Sequence, residues 1–491
     1  MVDFAKVLTK MGFFTPERFE GEVIDCEVQG HVPQDMNGTF FRVGGDFLYP
    51  PLFPDDAPLN SDGYISAFRF HNGVVDYKGR YVRTKRFEAD RAANRQLYGY
   101  YRNPYTDDPS VRDPTRPNLR TVSNTAPVIH AGKLFTLKED GLPHRIDPVT
   151  LETLGTWDFN GAWKSETFTA HPKLDPVSGE MVAFGYEATG LASNDVFIYA
   201  IDKTGKVTRE TRIKCPYVSM LHDVALTQKH FVIPMCGYVT GLDRLKEGKI
   251  HWAWDTTKPG YIGVLAREGD GKDIRWFKGP QRCMMHTFNA HTVGSKVILY
   301  APFWDGNFFP FFPNVDGSPW NPKNARAFVR RITLDLKSKS DTWTEEILVP
   351  FPIVDLGKVD PRYLTLEQRY GFTGYSDPQR PFDAARAGNL QGRVTNSYGR
   401  FDFTTGKFNS YFAGDTHSLQ ECSFVPRAGS HEEGDGYLVG VASNYAEMRS
   451  ELIIADARNL EGGDLARVIL PFRSTAQVHG IWAAAQELSP S

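Results

Sequence analysis

Four of the 13 histidines in this 491-residue chain are flanked by small, polar or turn-forming residues at predicted strand ends. They are His171 in Thr-Ala-His-Pro-Lys, His222 in Met-Leu-His-Asp-Val, His286 in Met-His-Thr-Phe-Asn and His479 in Val-His-Gly-Ile-Trp. Their separations of 51, 64 and 193 residues are too long for a local ligand loop. Imidazole can bind a metal or transfer a proton, although each histidine taken alone is more simply an ordinary half-buried residue.

Motifs of several common enzyme classes are missing. The sequence has no H-E-x-x-H, no G-x-S-x-G, no P-loop and no G-x-G-x-x-G after a predicted strand. These absences exclude the usual zinc peptidase, α/β-hydrolase, nucleotide triphosphatase and dinucleotide-binding interpretations. The cysteines argue against a disulfide framework or a thiolate metal site, since they are five in number, scattered and without a C-x-x-C pair.

The elements that position the histidines are predicted to be short strands joined by turns rich in Gly, Asp, Asn and Pro. One clear hairpin pairs residues 67–70 with residues 74–77 around the turn His71-Asn72-Gly73. Helical periodicity is rare: we predict a helix over Lys85 to Tyr101 and a short one around Leu364 to Arg369. Many short strands with few helices indicate an all-β fold.

The chain shows no linker, so residues 1–491 are predicted to form a single domain, although the usual size of about 150 residues per domain would suggest three. At this length a radial array of sheets, a β-propeller, fits better than a sandwich because each blade protects the edges of its neighbours. Such a fold also brings distant strand ends to one axis, where the four histidines would meet.

The charge balance excludes some partners. The chain has 56 Lys and Arg against 59 Asp and Glu, a net charge of −3, so we expect no nucleic-acid binding. The first ten residues mix charges with apolar residues, and no apolar run approaches a bilayer span. We therefore expect a cytoplasmic protein with no membrane insertion. The aromatic share of 13% suggests a pocket for a flat, apolar ligand.

The histidine segments, taken together, resemble in order and spacing the iron-ligand segments of the carotenoid cleavage oxygenases. The matching segments are His171-Pro-Lys-Leu-Asp-Pro, His222-Asp, His286-Thr-Phe-Asn-Ala and His479-Gly. Further matches begin at Val32, Gly141 and Glu421, so that the likeness extends over essentially the whole chain. Within that superfamily, the stretches at Tyr101-Arg-Asn-Pro-Tyr, Lys138-Glu-Asp and Asp243-Arg-Leu resemble most the lignostilbene dioxygenases and isoeugenol-cleaving oxygenases.

The resemblance implies a seven-bladed β-propeller with a cap of loops and a helix over an axial metal site. It implies one non-haem Fe(II) per chain, bound by the four histidines, with outer carboxylates that accept hydrogen bonds from the ligand rings. Glu139 and Glu421 match two of these carboxylates. The third carboxylate position of the family can be aligned with this sequence in two ways, at Pro350 or at Asp355. Counting back from Arg369-Tyr370 favours Asp355. An Asp there is one methylene shorter than the Glu of the relatives.

The same resemblance implies that O2 cleaves the interphenyl C=C bond of 4-hydroxystilbenes to give two aromatic aldehydes. Tyr101 and Lys138 match the residues that bind the phenolic hydroxyl. The roles agree with the chemistry, since an ammonium stabilises the phenolate whose charge makes the conjugated alkene electron-rich.

Three more positions would line the pocket. Thr125 matches a threonine near the open iron position, and Phe309 matches a substrate-contacting wall residue. Leu59 stands where stilbene-cleaving relatives often carry an aromatic residue, so the substituents accepted would differ.

Two alternatives stay open at this stage. The first is cleavage of propenyl or vinyl phenols such as isoeugenol to vanillin-type aldehydes. The second is a metal-assisted propeller hydrolase without redox chemistry, for which mixed carboxylate and Asn ligands around Ca²⁺ would be expected. By the same resemblance we expect a homodimer.

Overall fold

The structure, a computed structural model, describes residue 4 and residues 15–349, 351–353, 355–388 and 394–488. Within these residues, seven antiparallel sheets of three to five strands are the blades of a β-propeller, accompanied by a small two-stranded hairpin. The predicted all-β, seven-bladed fold is therefore confirmed. The prediction of a single domain stays a prediction.

The blades follow one another along the chain and are numbered here from the first. Blade 1 contains Gly21–Val23, Gly38–Gly45, Gly63–His71, Val74–Tyr81 and Gln477–Ala484; blade 2 contains Ala126–His130, Lys133–Leu137, His144–Ile146 and Thr153–Thr156; blade 3 contains Lys173–Leu174, Met181–Tyr186, Asp195–Ile201 and Val207–Lys214; blade 4 contains Ala225–Leu226, His230–Met235, Gly260–Ala266 and Arg275–Gly279.

The remaining three blades complete the ring. Blade 5 contains Asn289–Val293, Lys296–Trp304, Ala327–Asp335 and Thr344–Ile347; blade 6 contains Tyr370–Tyr375, Ser397–Asp402 and Phe408–Phe412; blade 7 contains His417–Pro426, Gly436–Asn444, Arg449–Asp456, Asp464–Ile469 and Glu27–Gly30; the additional hairpin pairs Tyr238–Val239 with Ala253–Trp254.

The ring closes through strands from both ends of the chain. The late strand Gln477–Ala484 pairs antiparallel with Gly38–Gly45 in blade 1. The early strand Glu27–Gly30 pairs with Asp464–Ile469 at the outer side of blade 7. Both closing sheets thus mix the two chain ends, which stabilises the ring because opening it would break two strand pairings at once.

The inner strands of neighbouring blades pack on one another around the axis. Gln477–Ala484 contacts both His417–Pro426 and Ala126–His130, and Ala225–Leu226 contacts Asn289–Val293. The apolar faces of adjoining blades fill the space between them; for example, Phe40 of blade 1 packs in one buried cluster with Val439 of blade 7. The ends of the inner strands are therefore held rigidly near one centre.

The predicted hairpin forms, but its turn is one residue shorter than expected because His71 still pairs with Val74. Strands Gly63–His71 and Val74–Tyr81 pair in register, and the two turn residues Asn72 and Gly73 have φ values of 51° and 79°. Two central residues with positive φ match the twist of antiparallel strands.

The helices are shorter than the sequence predicted. Helix α1 covers Lys85–Ala93, with Thr84 capping the amide of Phe87, and it ends at Asn94, whose φ of 53° is left-handed. Helix α2 covers Leu242–Lys246. The helix predicted around Leu364–Arg369 was wrong: a 3-10 turn covers Pro361–Tyr363, and Thr365 has a φ of 69°, which breaks a helical path.

The other 3-10 turns are short, and they cover Pro58–Asn60, Pro104–Thr106, Pro117–Arg120, Leu460–Gly462 and Ala485–Leu488. Helix α1 and three of these turns flank or form the connections of blades 1 and 2. The predicted cap over the axial site stays a prediction. Of the helices that the structure describes, none has the length and apolar character needed to cross a membrane.

Candidate metal centre and adjoining aromatic cluster

The four candidate histidines meet at one point. The Nε2 atom of His222 lies 3.0 Å from Nε2 of His171 and 3.0 Å from Nε2 of His286, and Nε2 of His286 lies 3.2 Å from that of His479. One nitrogen from each ring falls within a group whose members are at most 4.8 Å apart. The residues come from four different blades or the segments entering them, so only the closed propeller brings them together.

The backbone places each histidine at an inner strand. His171 precedes Lys173–Leu174, His222 precedes Ala225–Leu226 and His286 precedes Asn289–Val293. His479 lies inside the closing strand of blade 1. These positions explain the long sequence separations, because one blade contributes at most one ligand.

Two buried carboxylates hold the outer nitrogens of two rings. Glu139 forms a close hydrogen bond with His222 Nδ1, and Glu421 Oε1 accepts one from His479 Nδ1 at 2.8 Å. Glu421 Oε2 also accepts the amide of Gly480 at 2.8 Å, which fixes the carboxylate on both sides. Glu421 lies at an irregularity in the pairing of its strand, where a β-bulge redirects side chains.

Both carboxylates are anionic at neutral pH. Burial alone would raise their pKa values, but the neighbouring charged groups outweigh it and lower the pKa of Glu139 and of Glu421 to about 2. For Glu421 the largest opposing group is Lys358, whose Nζ lies 3.0 Å from Oε1. Lys358 was not found from the sequence, since it lies in a loop distant from both Glu421 and His479 along the chain.

Asp355 reaches the third ring less directly. Its Oδ1 lies 3.2 Å from His286 Nδ1, but the alignment is not that of a hydrogen bond, and Nδ1 has no other hydrogen-bond partner among the described residues. Oδ1 accepts instead from the amide of Leu356 at 2.9 Å, and Oδ2 accepts from Trp304 Nε1 at 2.8 Å. The alternative register placed Pro350 here, and that residue lies outside the described ones.

The donor set fits a transition metal. A neutral ring that donates its Nδ1–H to a carboxylate carries a lone pair on Nε2, so the converging Nε2 atoms of His222 and His479 are electron donors facing one centre. Burial lowers the pKa of His171 well below its usual range and that of His479 to about 4, which favours neutral rings, whereas at His222 the Glu139 carboxylate outweighs burial and raises the pKa. Four imidazole nitrogens suit iron and not the oxygen coordination of Ca²⁺.

A second group of candidate residues forms a polar contact beside a buried aromatic cluster. Lys138 Nζ lies 4.9 Å from the centre of the Tyr101 ring. The same Nζ donates to the backbone carbonyl of Leu59 at 2.9 Å and to Asn124 Oδ1 at 2.8 Å. Lys138 and Tyr101 are 2% and 1% exposed, so both polar ends are removed from bulk water.

Burial shifts the two groups in opposite directions. It raises the pKa of Tyr101 well above its usual range and lowers the pKa of Lys138 below its usual range. Tyr101 therefore stays a neutral hydroxyl. The Lys138 ammonium costs free energy to bury, and an anionic partner would offset this cost.

The apolar side chains next to Lys138 are largely aromatic. Tyr101 and Phe312 belong to one buried cluster, against which Leu59 and Phe309 pack. The rings of Tyr101 and Phe312 are stacked with centroids 6.4 Å apart. The amide of Phe309 donates to Tyr238 Oη at 3.0 Å, which fixes the wall to the small hairpin. A flat aromatic ligand suits such a wall.

Thr125 is buried beside this group. Its hydroxyl donates to Asn124 Oδ1 at 3.2 Å, and its amide donates to the carbonyl of Leu137. Asn124 itself was missed in the sequence, although it directly precedes a residue singled out there. No sequence pattern predicts a buried Asn whose side chain contacts residues from separate segments; only its position next to Thr125 could have drawn attention to it.

Fold and site together define a β-propeller with a centre of four converging histidines, suited to a transition metal. The family model described as retinal pigment epithelial membrane protein matches residues 14–484. The chain belongs to this RPE65/carotenoid cleavage oxygenase family, a family of non-haem iron enzymes.

Curated relatives extend over almost the whole chain. Lignostilbene-alpha,beta-dioxygenase isozyme III of Sphingomonas paucimobilis is 40% identical and the match covers 99% of each chain. Isoeugenol monooxygenase of Pseudomonas nitroreducens is 39% identical, covering 96% of this chain and 97% of the relative. The crystal structure of Pseudomonas brassicacearum lignostilbene dioxygenase superposes with a TM-score of 0.95 and 38% identity, covering 99% of this chain and all of that one.

Proposed function

We propose that this protein is a non-haem Fe(II) dioxygenase that cleaves the interphenyl C=C bond of 4-hydroxystilbenes with O2 to give two aromatic aldehydes. One iron per chain would be held by His171, His222, His286 and His479. The iron would supply O2 activation. Glu139, Glu421 and Asp355 would orient three of the rings, as outer carboxylates do in other metal sites.

The observation that carries this proposal is the environment of Lys138. Its ammonium is buried and its two hydrogen-bond acceptors, the Leu59 carbonyl and the Asn124 amide oxygen, are both neutral. The carboxylates of Asp140 and Glu139 favour the charged ammonium against burial, but no described residue gives it a hydrogen-bonded anion, and an ionised phenol would supply that partner. Tyr101, kept neutral by burial, would complete the contact with the same hydroxyl group.

The chemical consequence follows from conjugation. A phenolate in the para position delocalises its charge into the alkene, and an electron-rich alkene reacts more readily with activated O2. Lys138 holds this charge without removing it from the conjugated system, because it donates a hydrogen bond and keeps its own proton. The aromatic wall with Phe309 would receive the flat substrate and exclude water.

A second candidate is the cleavage of a propenyl phenol to a vanillin-type aldehyde. It is favoured by the isoeugenol monooxygenases, which are as similar to this chain as the lignostilbene enzyme is. Both substrates present a phenol to Tyr101 and Lys138, and they differ in whether a second ring lies beyond the alkene. Leu59 and Phe309 would contact this distal part.

The test uses iron-loaded protein with a 4-hydroxystilbene and with isoeugenol, each followed by O2 uptake and by mass spectrometry of the aldehydes. We expect a higher kcat/KM for the stilbene. The reverse order would favour the second candidate, and stoichiometric iron with no cleavage of either compound would refute both. Iron quantified per chain checks the count of one.

Two further expectations accompany this function. We propose a homodimer, by resemblance, and a cytoplasmic location, which suits the five cysteines that are free and buried. Sedimentation and cell fractionation test them.

A further inference from the structure

We propose that Asn124 is a positioning residue that aims the ammonium of Lys138 at the substrate hydroxyl and thereby sets the preference for a free phenol over its methyl ether. This inference rests on the proposed function and deepens it. It concerns a residue that contacts Lys138 and not the metal centre.

The argument begins with the three N–H bonds of a lysine ammonium. Lys138 uses one of them for the Leu59 carbonyl and one for Asn124 Oδ1, at 2.9 Å and 2.8 Å. One N–H is left, and Nζ lies 4.9 Å from the centre of the Tyr101 ring. With two directions fixed, the third is fixed as well.

The orientation of the Asn124 amide is itself determined by its neighbours. Its Nδ2 donates to the carbonyls of Leu59 and Ser61, at 3.0 Å and 2.7 Å, while Oδ1 accepts from Lys138 and from the Thr125 hydroxyl. A rotated amide would turn Nδ2 toward the ammonium and Oδ1 toward two carbonyl oxygens. The contacts to the ammonium and to both carbonyls would then become repulsive, and only the Thr125 hydroxyl could adapt by accepting in place of donating, so one orientation is enforced.

The Leu59 carbonyl is anchored by the 3-10 turn Pro58–Asn60. Asn60 is 2% exposed, and its side chain donates to Asp56 Oδ2 and to the Gly99 carbonyl and accepts from Arg86. Asp56 Oδ1 accepts the amide of Tyr101 at 3.0 Å. The same turn therefore fixes the backbone of Tyr101 and one acceptor of Lys138.

Asn124 closes this arrangement, because it is the group that contacts both the turn and the ammonium. Its removal would leave Lys138 with one fixed hydrogen bond in place of two. The side chain could then change its terminal torsions while it keeps the bond to Leu59, and the remaining N–H would lose its alignment with the substrate hydroxyl. A methyl ether has no charge for the ammonium to stabilise, so its binding depends far less on this alignment.

The experiment measures binding of two saturated, uncleavable analogues to iron-loaded protein by fluorescence quenching. The analogues are 1,2-diphenylethanes carrying a 4-hydroxyl or a 4-methoxyl group. The proteins are the wild type, Asn124→Ala, Lys138→Met and the double variant. The quantity compared is the ratio of the two dissociation constants.

We expect the wild type to bind the hydroxyl analogue more tightly than the methoxyl analogue. In Asn124→Ala the ratio of the two dissociation constants should move about tenfold toward equal binding, which is the lower end of the effect of a hydrogen bond to a charged group. In the Lys138→Met background, Asn124→Ala should change the ratio no further, because the residue acts through the ammonium. An unchanged ratio in the single variant, or an equal loss in both backgrounds, would overturn the proposal.

Two controls separate positioning from folding. Asn396 is also buried, and its side chain donates to the carbonyls of Asp377 and Arg380 in a different part of the propeller. Asn396→Ala should lower the melting temperature without altering the ratio. Should Asn124→Ala fail to fold, Asn124→Ser replaces it and is judged by the same criterion.

The two proposals fail in different ways. If the wild type binds the hydroxyl analogue preferentially but cleaves no alkene, the proposed function is refuted. The role of Asn124 in phenol binding would still stand. Wild-type protein that cleaves 4-hydroxystilbenes while Asn124→Ala keeps the full preference would refute the role of Asn124 alone.

Discussion

Asp355 is shared between His286 and Trp304: Oδ1 lies 3.2 Å from His286 Nδ1, and Oδ2 accepts from Trp304 Nε1 at 2.8 Å. The hydrogen bond to the indole and that from the Leu356 amide fix the carboxylate slightly off the line of the imidazole N–H. Of the three outer carboxylates, Asp355 therefore orients its ring least firmly. This agrees with an Asp in a position where relatives have a longer Glu.

The first prediction compares two isosteric substitutions. Asp355→Asn should weaken iron binding less than Glu421→Gln, because Glu421 makes an aligned hydrogen bond of 2.8 Å to His479 Nδ1 and a second one to the next amide. Loss of such an outer partner costs about 10- to 100-fold in metal affinity. Competition with a chelator measures both affinities. A larger effect at Asp355 would show that its bond to His286 shortens when the metal is bound.

The second prediction tests whether the effect at Glu421 is specific to the metal centre. Glu451 is a matched control, since Oε2 of this buried carboxylate lies 3.1 Å from Nε2 of His417, a histidine outside the cluster. Glu451→Gln should lower the melting temperature and leave iron content at the wild-type value. Glu421→Gln should lower both. Equal iron contents in the two variants would assign Glu421 a structural role only.

The all-β propeller was predictable from repeated short strands and turns, such as the hairpin at Asn72-Gly73. The seven blades and the histidine cluster followed only from the resemblance of the four histidine segments taken together, because each segment alone is a weak signal. The helix predicted at Leu364–Arg369 failed because Thr365 takes a left-handed conformation, and no local signal indicates that.

The contacts around the site were less predictable, because they depend on how loops from different blades meet. Lys358 reaches Glu421, and Asn124 joins Lys138 to the Leu59 carbonyl, across separations that no local pattern records. Leu59 illustrates the same limit. The sequence drew attention to its side chain, whereas the structure also gives its backbone carbonyl a role as acceptor for the ammonium.

The third prediction concerns Lys138 and turnover. Lys138→Met keeps the length of the side chain and removes the charge, so kcat/KM for a 4-hydroxystilbene should fall by about 10- to 150-fold, the range for a hydrogen bond to a charged group. Cleavage of the 4-methoxy compound, slow in the wild type, should change little. Iron content should stay constant, because Lys138 contacts Leu59, Asn124 and the Tyr101 ring. A parallel loss of iron and activity would reassign Lys138 to the structure of the centre.

The fourth prediction concerns the pH dependence of stability. It depends on Asp90, which has no part in the proposed metal centre. Asp90 of helix α1 is 2% exposed, its Oδ1 accepts the amide of Leu97 at 2.7 Å, and its Oδ2 lies 3.7 Å from Arg86 Nε. Burial raises the pKa of Asp90 to about 7, more than Arg86 lowers it. In the unfolded chain an Asp has a pKa of about 3.9.

The sign follows from proton binding. Between about pH 4 and pH 7 the folded state holds a proton on Asp90 that the unfolded state has released, so this group makes the free energy of unfolding fall as the pH rises through that window. Asp90→Asn does not titrate. The melting temperature of Asp90→Asn minus that of the wild type should therefore increase from pH 4.5 to pH 7.5. Asp402→Asn is the control. The pKa of Asp402 is lowered to about 2, chiefly because the hydrogen bond from Arg369 opposes the effect of burial. The melting temperature of Asp402→Asn minus that of the wild type should therefore stay constant over this range. Parallel curves for Asp90→Asn and the wild type would contradict a raised pKa at Asp90.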